Sequence, residues 1–289
     1  MKIVDILAQK QTLSYEIFPP KGEMPLFEAM GVSEGLACMS PDWISVTFSA
    51  GGTGNSENTF KIARGLQEEL GVNALAHLTC MGSTVEEMRA RVNALRENGV
   101  TNVLALRGDK MPGRSTVDFA YAADLISFLK DADPSLCVGA ACYPEGHVEC
   151  ESLELSIEHL KMKQDAGTDF LVTQLFFEND DFYRFREACS RARIKIPIVC
   201  GIMPFTSTRQ IQRMAFTCGA SIPAKVIRRL VAVGDDEVAQ RKAGVEYACE
   251  QLVDLAANGV DGIHVYTMNR VDVGVATHDA LVECGYWKD

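Results

Sequence analysis

A glutamate near the end of an apolar segment is the residue of this chain whose setting most suggests chemistry. Glu16 lies in the run SYEIFPPKG, between Tyr15 and Ile17 and shortly before two prolines. The alternation of residue types predicts a short strand that the prolines end. A carboxylate is unfavourable to bury as a charge, so a glutamate placed here is a candidate proton donor. The alternative for this residue, taken alone, is an exposed glutamate without a catalytic role.

Polar side chains also follow the other apolar runs of the chain. Each has a structural explanation of its own: His77 could be a hydrogen-bonded core histidine, and Gln174 could bond a neighbouring backbone group. Polar groups at every strand end together favour a binding site over separate structural roles. The set comprises Glu16, Thr47, His77, Arg107, Asp109, Tyr143, His147, Gln174, Gln210, Tyr266 and Arg270.

Eight apolar runs rich in β-branched residues must position these side chains, with helical segments between them. The runs span 14–18, 43–48, 74–79, 102–108, 137–142, 170–176, 196–202 and 262–267. Strands and helices that alternate predict right-handed β-α units and a parallel sheet. Eight units in a chain of 289 residues predict a (β/α)8 TIM barrel, whose active site lies at the carboxyl ends of the strands. No G-x-G-x-x-G follows the first run, which argues against a doubly wound sheet.

The helical segments carry their own start and stop signals. Residues 83–99 predict the clearest helix, with a capping box from Thr84 to Glu87 and a stop at Gly99. A further helical stretch, about 223–257, precedes strand eight. No linker or composition break interrupts the chain, so we expect residues 1–289 to form a single catalytic domain.

Composition narrows the class of function. The net charge of −11 argues against binding to nucleic acid or anionic membranes. Ten scattered cysteines without a C-x-x-C pair indicate core thiols in a reducing cytoplasm, so we expect no metal site. Neither a signal peptide nor an apolar run long enough to span a membrane is recognisable. A small-molecule enzyme or a protein-binding module fits these features, and any electron transfer would need an organic cofactor.

Several motifs together resemble one known family, methylenetetrahydrofolate reductase. In chain order they are SYEIFPPKG, SVTFSAGGTG, AHLTC, LALRGD, YPEGH, LKMKQDAGTDFLVTQLFF, GIMP and HVYTMNR, between about 14 and 270. The elements LRGD, TQLFF and Y-T-x-N-R are specific in combination. Because the chain ends soon after the barrel, it resembles the bacterial single-domain type. The resemblance implies a cytoplasmic flavoprotein of one-carbon metabolism and methionine biosynthesis, which reduces 5,10-methylenetetrahydrofolate to 5-methyltetrahydrofolate with FAD and a donor such as NADH or NADPH.

The resemblance also implies roles for individual residues. Glu16 would be the proton donor, and Asp109 would stabilise developing positive charge near the flavin ring. FAD would be bound by Thr47, Phe48, Ala50, His77, Leu106, Arg107, Gly108, Asp109, Ala122, Tyr143, His147, Cys150, His159 and Lys163. Folate or nicotinamide would contact Gln174, Gln210, Met214, Tyr266 and Arg270.

Three positions depart from the pattern of enteric members. Ser156 replaces an acidic residue, and Met162 replaces an arginine found in some members, both where FAD would be held. We therefore expect looser FAD binding. Met214 stands where an aromatic residue contacts the ligand in enteric members, and a flexible thioether can cover the same kind of surface.

Two other functions remain compatible with the sequence. One is a different pterin-binding barrel, such as a methyltransferase, which binds folate without flavin. The other is a non-catalytic barrel subunit of a one-carbon complex. If a partner supplies the electrons, an iron–sulfur relay must lie on another chain, since this one has no cysteine cluster. We expect a homo-oligomer or a hetero-complex.

Overall fold

Eight parallel strands close into a barrel, as the sequence predicts. The computed structural model describes residues 1–19, 26–48, 56–109 and 118–288. The strands pair in chain order, and β1 closes the ring against β8. They are β1 Thr12–Ile17, β2 Trp43–Val46, β3 Asn73–Thr79, β4 Asn102–Leu106, β5 Cys137–Cys142, β6 Phe170–Thr173, β7 Ile198–Ile202 and β8 Gly262–Tyr266. All eight predicted strands are therefore confirmed, although several end earlier than their apolar runs.

Helices surround the barrel and join its strands. They are α1 Ile3–Leu7, α2 Leu26–Ala37, α3 Ser56–Glu68, α4 Val85–Glu97, α5 Ala122–Ala132, α6 Leu153–Asp165, α7 Asn179–Arg191, α8 Thr208–Cys218, α9 Ala224–Val233, α10 Glu237–Ala257 and α11 Val271–Glu283. The predicted capping box is present on α4, where Thr84 accepts from the Glu87 backbone N–H and Glu87 accepts from that of Thr84. The extra stretch before strand eight consists of α9 and α10. Within the described residues, no helix is both long and apolar enough to cross a membrane.

Large apolar side chains fill the lower half of the barrel and leave its mouth to polar groups. Trp43, Phe170 and Val199 are fully buried in one interior cluster. The short helix α1 covers the amino-terminal end, where the Ile3 backbone N–H donates to Asn102 Oδ1 at 2.9 Å. Gly139 leaves room for Phe170, since a Cβ there would lie 2.6 Å from the ring. A filled interior closes the bottom of the barrel, so ligands must enter from the carboxyl ends of the strands.

One close approach fixes the long helix α10 beside the loop after β7. A Cβ added at Gly244 would lie 1.8 Å from the Phe205 carbonyl oxygen, so the helix and the loop touch through backbone atoms. Tyr247, one turn later, packs in the same apolar cluster as Phe205. The position of α10 therefore sets the position of the chain that leaves β7 toward the barrel mouth.

We predict that Gly244→Ala destabilises the fold by about 1–3 kcal/mol, because the added methyl group must displace α10 from Phe205. Gly31 is the matched control, since it lies in α2 and a Cβ added there would have nothing within 4 Å. Gly31→Ala should stabilise by about 0.5–1 kcal/mol through helix propensity. Urea unfolding of both variants measures the difference. Equal effects of the two substitutions would contradict the close contact.

Candidate active site

Two adjoining clefts open at the carboxyl ends of the strands. The mouth cleft lies over the barrel axis and encloses about 440 Å3. The side cleft encloses about 390 Å3 and lies between the ends of β4 and β5 and the helices α5 and α6. Arg107, Tyr143 and His147 line both clefts. The two clefts therefore adjoin each other and share these residues as walls.

Glu16 lies in the mouth cleft, where three neighbouring side chains surround its carboxylate. Its Oε2 atom is 3.4 Å from His77 Nε2, 3.5 Å from Ser45 Oγ and 3.7 Å from His264 Nε2. The side chain retains 19% of its exposure, so it is shielded and still reaches the cleft. A carboxylate that is both shielded and accessible can hold a proton and deliver it to a bound molecule.

His77 presents a neutral ring to this carboxylate. Burial lowers the pKa of His77, although the nearby Glu16 raises it and His264 lowers it further. The imidazole is consequently neutral near pH 7. Its Nε2 atom faces Glu16 without meeting hydrogen-bond geometry and has no other hydrogen-bond partner among the described residues. This buried polar atom therefore faces the Glu16 carboxylate with its hydrogen-bonding capacity unused.

His264 was missed at the sequence level, and it connects two serines to Glu16. Its Nδ1 atom is 2.8 Å from Ser14 Oγ, and its Nε2 atom is 3.3 Å from Ser45 Oγ. The Ser14 hydroxyl oxygen also lies 3.1 Å from the Ile263 carbonyl oxygen, so Ser14 links the ring of His264 to the backbone of β8. Strand alternation was the available signal, because Ser14 pairs with His264 two residues before Glu16 pairs with Tyr266.

The side cleft contains a partly buried cation, Lys163. Its Nζ atom donates to the Ala141 carbonyl at 2.8 Å and lies 5.6 Å from the centre of the Tyr143 ring. Burial lowers the pKa of Lys163 to about 8. No carboxylate of the described residues forms an ion pair with it. By contrast, Arg107 is paired with Glu149 at 2.6 Å. Lys163 is therefore suited to a bound anion.

Tyr266 is held in the mouth by its hydroxyl group. The hydroxyl donates to the carbonyl of Thr173, the last residue of β6, at 2.6 Å. Gly201 makes room for the ring, because a Cβ there would lie 2.6 Å from the hydroxyl oxygen. Since the proton of this hydroxyl is already committed, Tyr266 offers a ligand its ring face and an acceptor oxygen.

Most of the predicted site residues line the two clefts. Those at the mouth are Glu16, Thr47, Phe48, His77, Leu106, Arg107, Gly108, Asp109, Tyr143, His147, Gln174, Met214 and Tyr266. Those at the side cleft include Leu106, Arg107, Ala122, Tyr143, His147, Cys150, His159 and Lys163, together with Ser156 and Met162. Ala50 lies outside the described residues.

Two predicted contacts line neither cleft. Gln210 uses its side-chain oxygen to accept from the backbone N–H of Thr206 at 2.6 Å and from its hydroxyl at 2.9 Å. Arg270 stands at the start of α11, with Nε 3.5 Å from Asp272 Oδ1. Both remain predictions as ligand contacts.

Ser156, one of the positions that depart from the family pattern, forms a local hydrogen bond. The side chain is buried, and its hydroxyl accepts from the His147 backbone N–H at 3.2 Å. Ser156 thereby fixes the turn that carries His147. Met162, which is 60% exposed, closes the outer edge of the same cleft without a charge.

We predict that Tyr266→Phe lowers the free energy of unfolding by about 1–2 kcal/mol, because the Thr173 carbonyl loses its donor in a shielded setting. Tyr121→Phe serves as the control, since that side chain is 64% exposed. Denaturant unfolding compares the two. An unchanged stability for Tyr266→Phe would show that the hydroxyl is not committed to Thr173.

Proteins of known name resemble this chain in sequence over most of its length. A protein from Schizosaccharomyces pombe, methylenetetrahydrofolate reductase 1, is 36% identical over 93% of this chain, which spans 46% of that protein. The 5,10-methylenetetrahydrofolate reductase of Escherichia coli strain K12 is 32% identical, over 91% of this chain and 88% of its own length. The chain thus spans about half of the longer relative and most of the shorter one.

A solved structure from Clostridium thermocellum shares the fold. That uncharacterized protein, which binds two copies of 5-methyl-5,6,7,8-tetrahydrofolic acid, superposes with a TM-score of 0.68 at 15% identity over 99% of this chain and 100% of its own. At this identity the likeness concerns the barrel alone. A profile of the methylenetetrahydrofolate reductase family matches residues 2–280. The match over nearly the whole barrel, with the Escherichia coli relative, shows that this chain belongs to the methylenetetrahydrofolate reductase family of oxidoreductases.

Proposed function

We propose that this protein reduces 5,10-methylenetetrahydrofolate to 5-methyltetrahydrofolate with bound FAD, and that Glu16 is the proton donor. The observation that carries the proposal is the setting of Glu16, a shielded carboxylate that reaches the mouth cleft beside two imidazoles. Family membership supports the substrate and the reaction. Residues 1–289 would act as one catalytic domain.

The side cleft and the mouth together suit FAD. A dinucleotide needs a cation for its pyrophosphate, and Lys163 is a partly buried cation without a described acidic partner. A flavin ring needs a polar contact at its edge, and His77 lines the mouth where it could provide one. The small side chains of Ala122 and Ala141 leave space between them. Bound there, FAD would supply hydride transfer, which no side chain can perform.

The remaining proposed contacts to FAD lie in both the mouth cleft and the side cleft. On the mouth side they are Thr47, Phe48, Leu106, Arg107, Gly108 and Asp109. On the side cleft they are Ala122, Tyr143, His147, Cys150 and His159. Arg107 would reach a phosphate by exchanging its ion pair with Glu149.

Glu16 has a defined task in this reaction. The methylene carbon of the substrate bridges two nitrogens, and it accepts hydride only after one carbon–nitrogen bond opens. Opening the bond requires a proton on the departing nitrogen, which Glu16 can donate. Asp109 is exposed at the rim of the same cleft, where its carboxylate can stabilise the positive charge that develops.

One mouth cleft must receive both the folate and the electron donor. Gln174, Met214 and Tyr266 line it together, and Gln174 already uses its side-chain oxygen on the Leu175 backbone N–H. We therefore propose that NADH or NADPH and folate occupy the cleft in turn, which gives parallel double-reciprocal lines in steady-state kinetics. If neither nicotinamide reduces the flavin, a partner subunit supplies the electrons. The free cysteines accord with a cytoplasmic setting.

Titration with FAD tests the proposal as a whole. The purified protein should bind FAD and then oxidise NADH in a manner that depends on methylenetetrahydrofolate. A protein that binds no flavin would favour a flavin-free pterin enzyme or a non-catalytic subunit. A protein that binds FAD and releases no 5-methyltetrahydrofolate with any donor would contradict the assigned reaction.

The affinity for FAD should fall as the pH rises above about 8. The partly buried Lys163 has a pKa of about 8 and is cationic below it, and a bound phosphate favours the cation. Above that pH, binding must take up a proton, so the Kd for FAD should rise by up to about tenfold per pH unit. Lys163→Arg stays charged and should remove this dependence. Fluorescence titrations at pH 7–9.5 measure it, and identical pH profiles for the two proteins would exclude Lys163 as the pyrophosphate ligand.

Glu16→Gln should separate the two half-reactions. The amide keeps the shape of the side chain and has no acidic proton to donate, so FAD binding and flavin reduction by NADH should be preserved. Reoxidation of the flavin by methylenetetrahydrofolate should slow by about 10²–10⁴-fold. Stopped-flow absorbance follows both steps. Glu97→Gln is the control, since this exposed residue ends α4 at the far end of the barrel. Equal slowing of both steps would indicate that Glu16 positions ligands and donates no proton.

A further inference from the structure

One cysteine of the side cleft is paired with an imidazole. Cys150 lies in the turn between β5 and α6, and its Sγ atom is 3.5 Å from Nδ1 of His159, on the second turn of α6. Its backbone N–H donates to the His147 carbonyl at 2.8 Å, which fixes the turn. The residue is partly exposed, so the sulfur is held in place and can still be reached from the cleft.

Basic groups surround this sulfur. Lys163 lies one helical turn beyond His159. It is close enough to Cys150 that a negative charge on the sulfur would raise the pKa of the Lys163 ammonium group. Cys150 also precedes the helix N-cap Ser152 by two residues, close to the positive end of the α6 dipole. The adjacent carboxylate of Glu149 is neutralised by its ion pair with Arg107. Basic and partly exposed settings of this kind produce nucleophilic cysteines.

The other cysteines lack this combination. Burial raises the pKa of seven of them, which keeps them as thiols: Cys80, Cys137, Cys142, Cys189, Cys200, Cys218 and Cys249. Cys38 and Cys284 are exposed, and neither has an imidazole within hydrogen-bond distance among the described residues. These two thiols therefore serve as internal references for an accessible cysteine without a basic partner.

We propose that Cys150 is a peroxide-sensitive thiol, activated by His159, whose oxidation and FAD binding exclude each other. The thiolate attacks one oxygen of a hydroperoxide and the O–O bond breaks. The sulfur becomes a sulfenic acid by losing two electrons, and the departing hydroxide or alkoxide takes up the proton that the thiol released to His159, giving water or an alcohol. The oxidant is external, and hydrogen peroxide is the simplest member of its class.

Oxidised Cys150 and bound FAD would compete for the same space in the side cleft. Cys150, His159 and Lys163 line the space that we assign to the dinucleotide. An oxygen atom on the sulfur would occupy that space and offer Lys163 a polar partner in place of a phosphate. Conversely, bound FAD would cover the sulfur. This step rests on the proposed function, whereas the reactivity of the thiol does not.

Alkylation rates test the reactivity on the FAD-free chain. Iodoacetamide labelling, quantified for each cysteine by peptide mass spectrometry, should modify Cys150 at least tenfold faster than Cys38 or Cys284. His159→Gln should reduce the rate at Cys150 to that of the exposed references and leave theirs unchanged. Saturating FAD should slow labelling of Cys150 at least tenfold and leave Cys38 unaffected.

Treatment with hydrogen peroxide tests whether oxidation of Cys150 and FAD binding exclude each other. Hydrogen peroxide should form a sulfenic acid on Cys150, trapped by dimedone, and reduce FAD binding at least tenfold, with recovery after dithiothreitol. Cys38→Ser is the matched control and should respond as the unaltered protein does. The inference is overturned if Cys150 reacts no faster than Cys38, or if FAD binds and neither protects Cys150 nor is weakened by its oxidation. A chain that binds no FAD would refute the proposed function, and the ratio of alkylation rates would then decide the inference about Cys150.

Discussion

The contact between one carboxylate and two imidazoles is the constraint around which the mouth of this barrel is arranged. Glu16, His77 and His264 come from β1, β3 and β8, so only the closed barrel brings them together. Because burial keeps His77 neutral, the carboxylate gains no full ion pair there that would hold it permanently ionised. The serines beside His264 fix that ring instead of neutralising the carboxylate. The carboxylate is thus held in place and remains accessible from the mouth cleft.

The two proposed ionisable site residues, Glu16 and Lys163, lie in different clefts. The mouth contains carboxylates, which suits a substrate that develops positive charge. The side cleft contains a partly buried lysine, which suits the phosphates of a cofactor within a chain whose net charge is −11. Arg107 and Tyr143 stand on the boundary and belong to both. The Glu16 carboxylate and the Lys163 ammonium group thus lie in neighbouring clefts.

The fold could be predicted from local patterns, whereas the finer contacts could not. Apolar runs located all eight strands, and the Thr84–Glu87 pair located a helix start, because each signal lies within a few residues. The partnership of Glu16 with His264 depends on the register between β1 and β8, which lie about 250 residues apart. Likewise, the residues around Tyr266 could not show that its hydroxyl donates to the carbonyl of Thr173, 93 residues earlier in the chain. The family resemblance predicted which residues lie near the site. Hydrogen bonds between distant parts of the chain determine which atoms of those residues can still contact a ligand.

A single anaerobic turnover tests the central claim most directly. The FAD-loaded protein is reduced to completion, freed of the reductant and mixed with methylenetetrahydrofolate while flavin absorbance is recorded. The account predicts that the oxidised flavin spectrum returns and that one equivalent of 5-methyltetrahydrofolate forms for each flavin. A flavin that stays reduced in the presence of saturating substrate, with no methyl product, would contradict it.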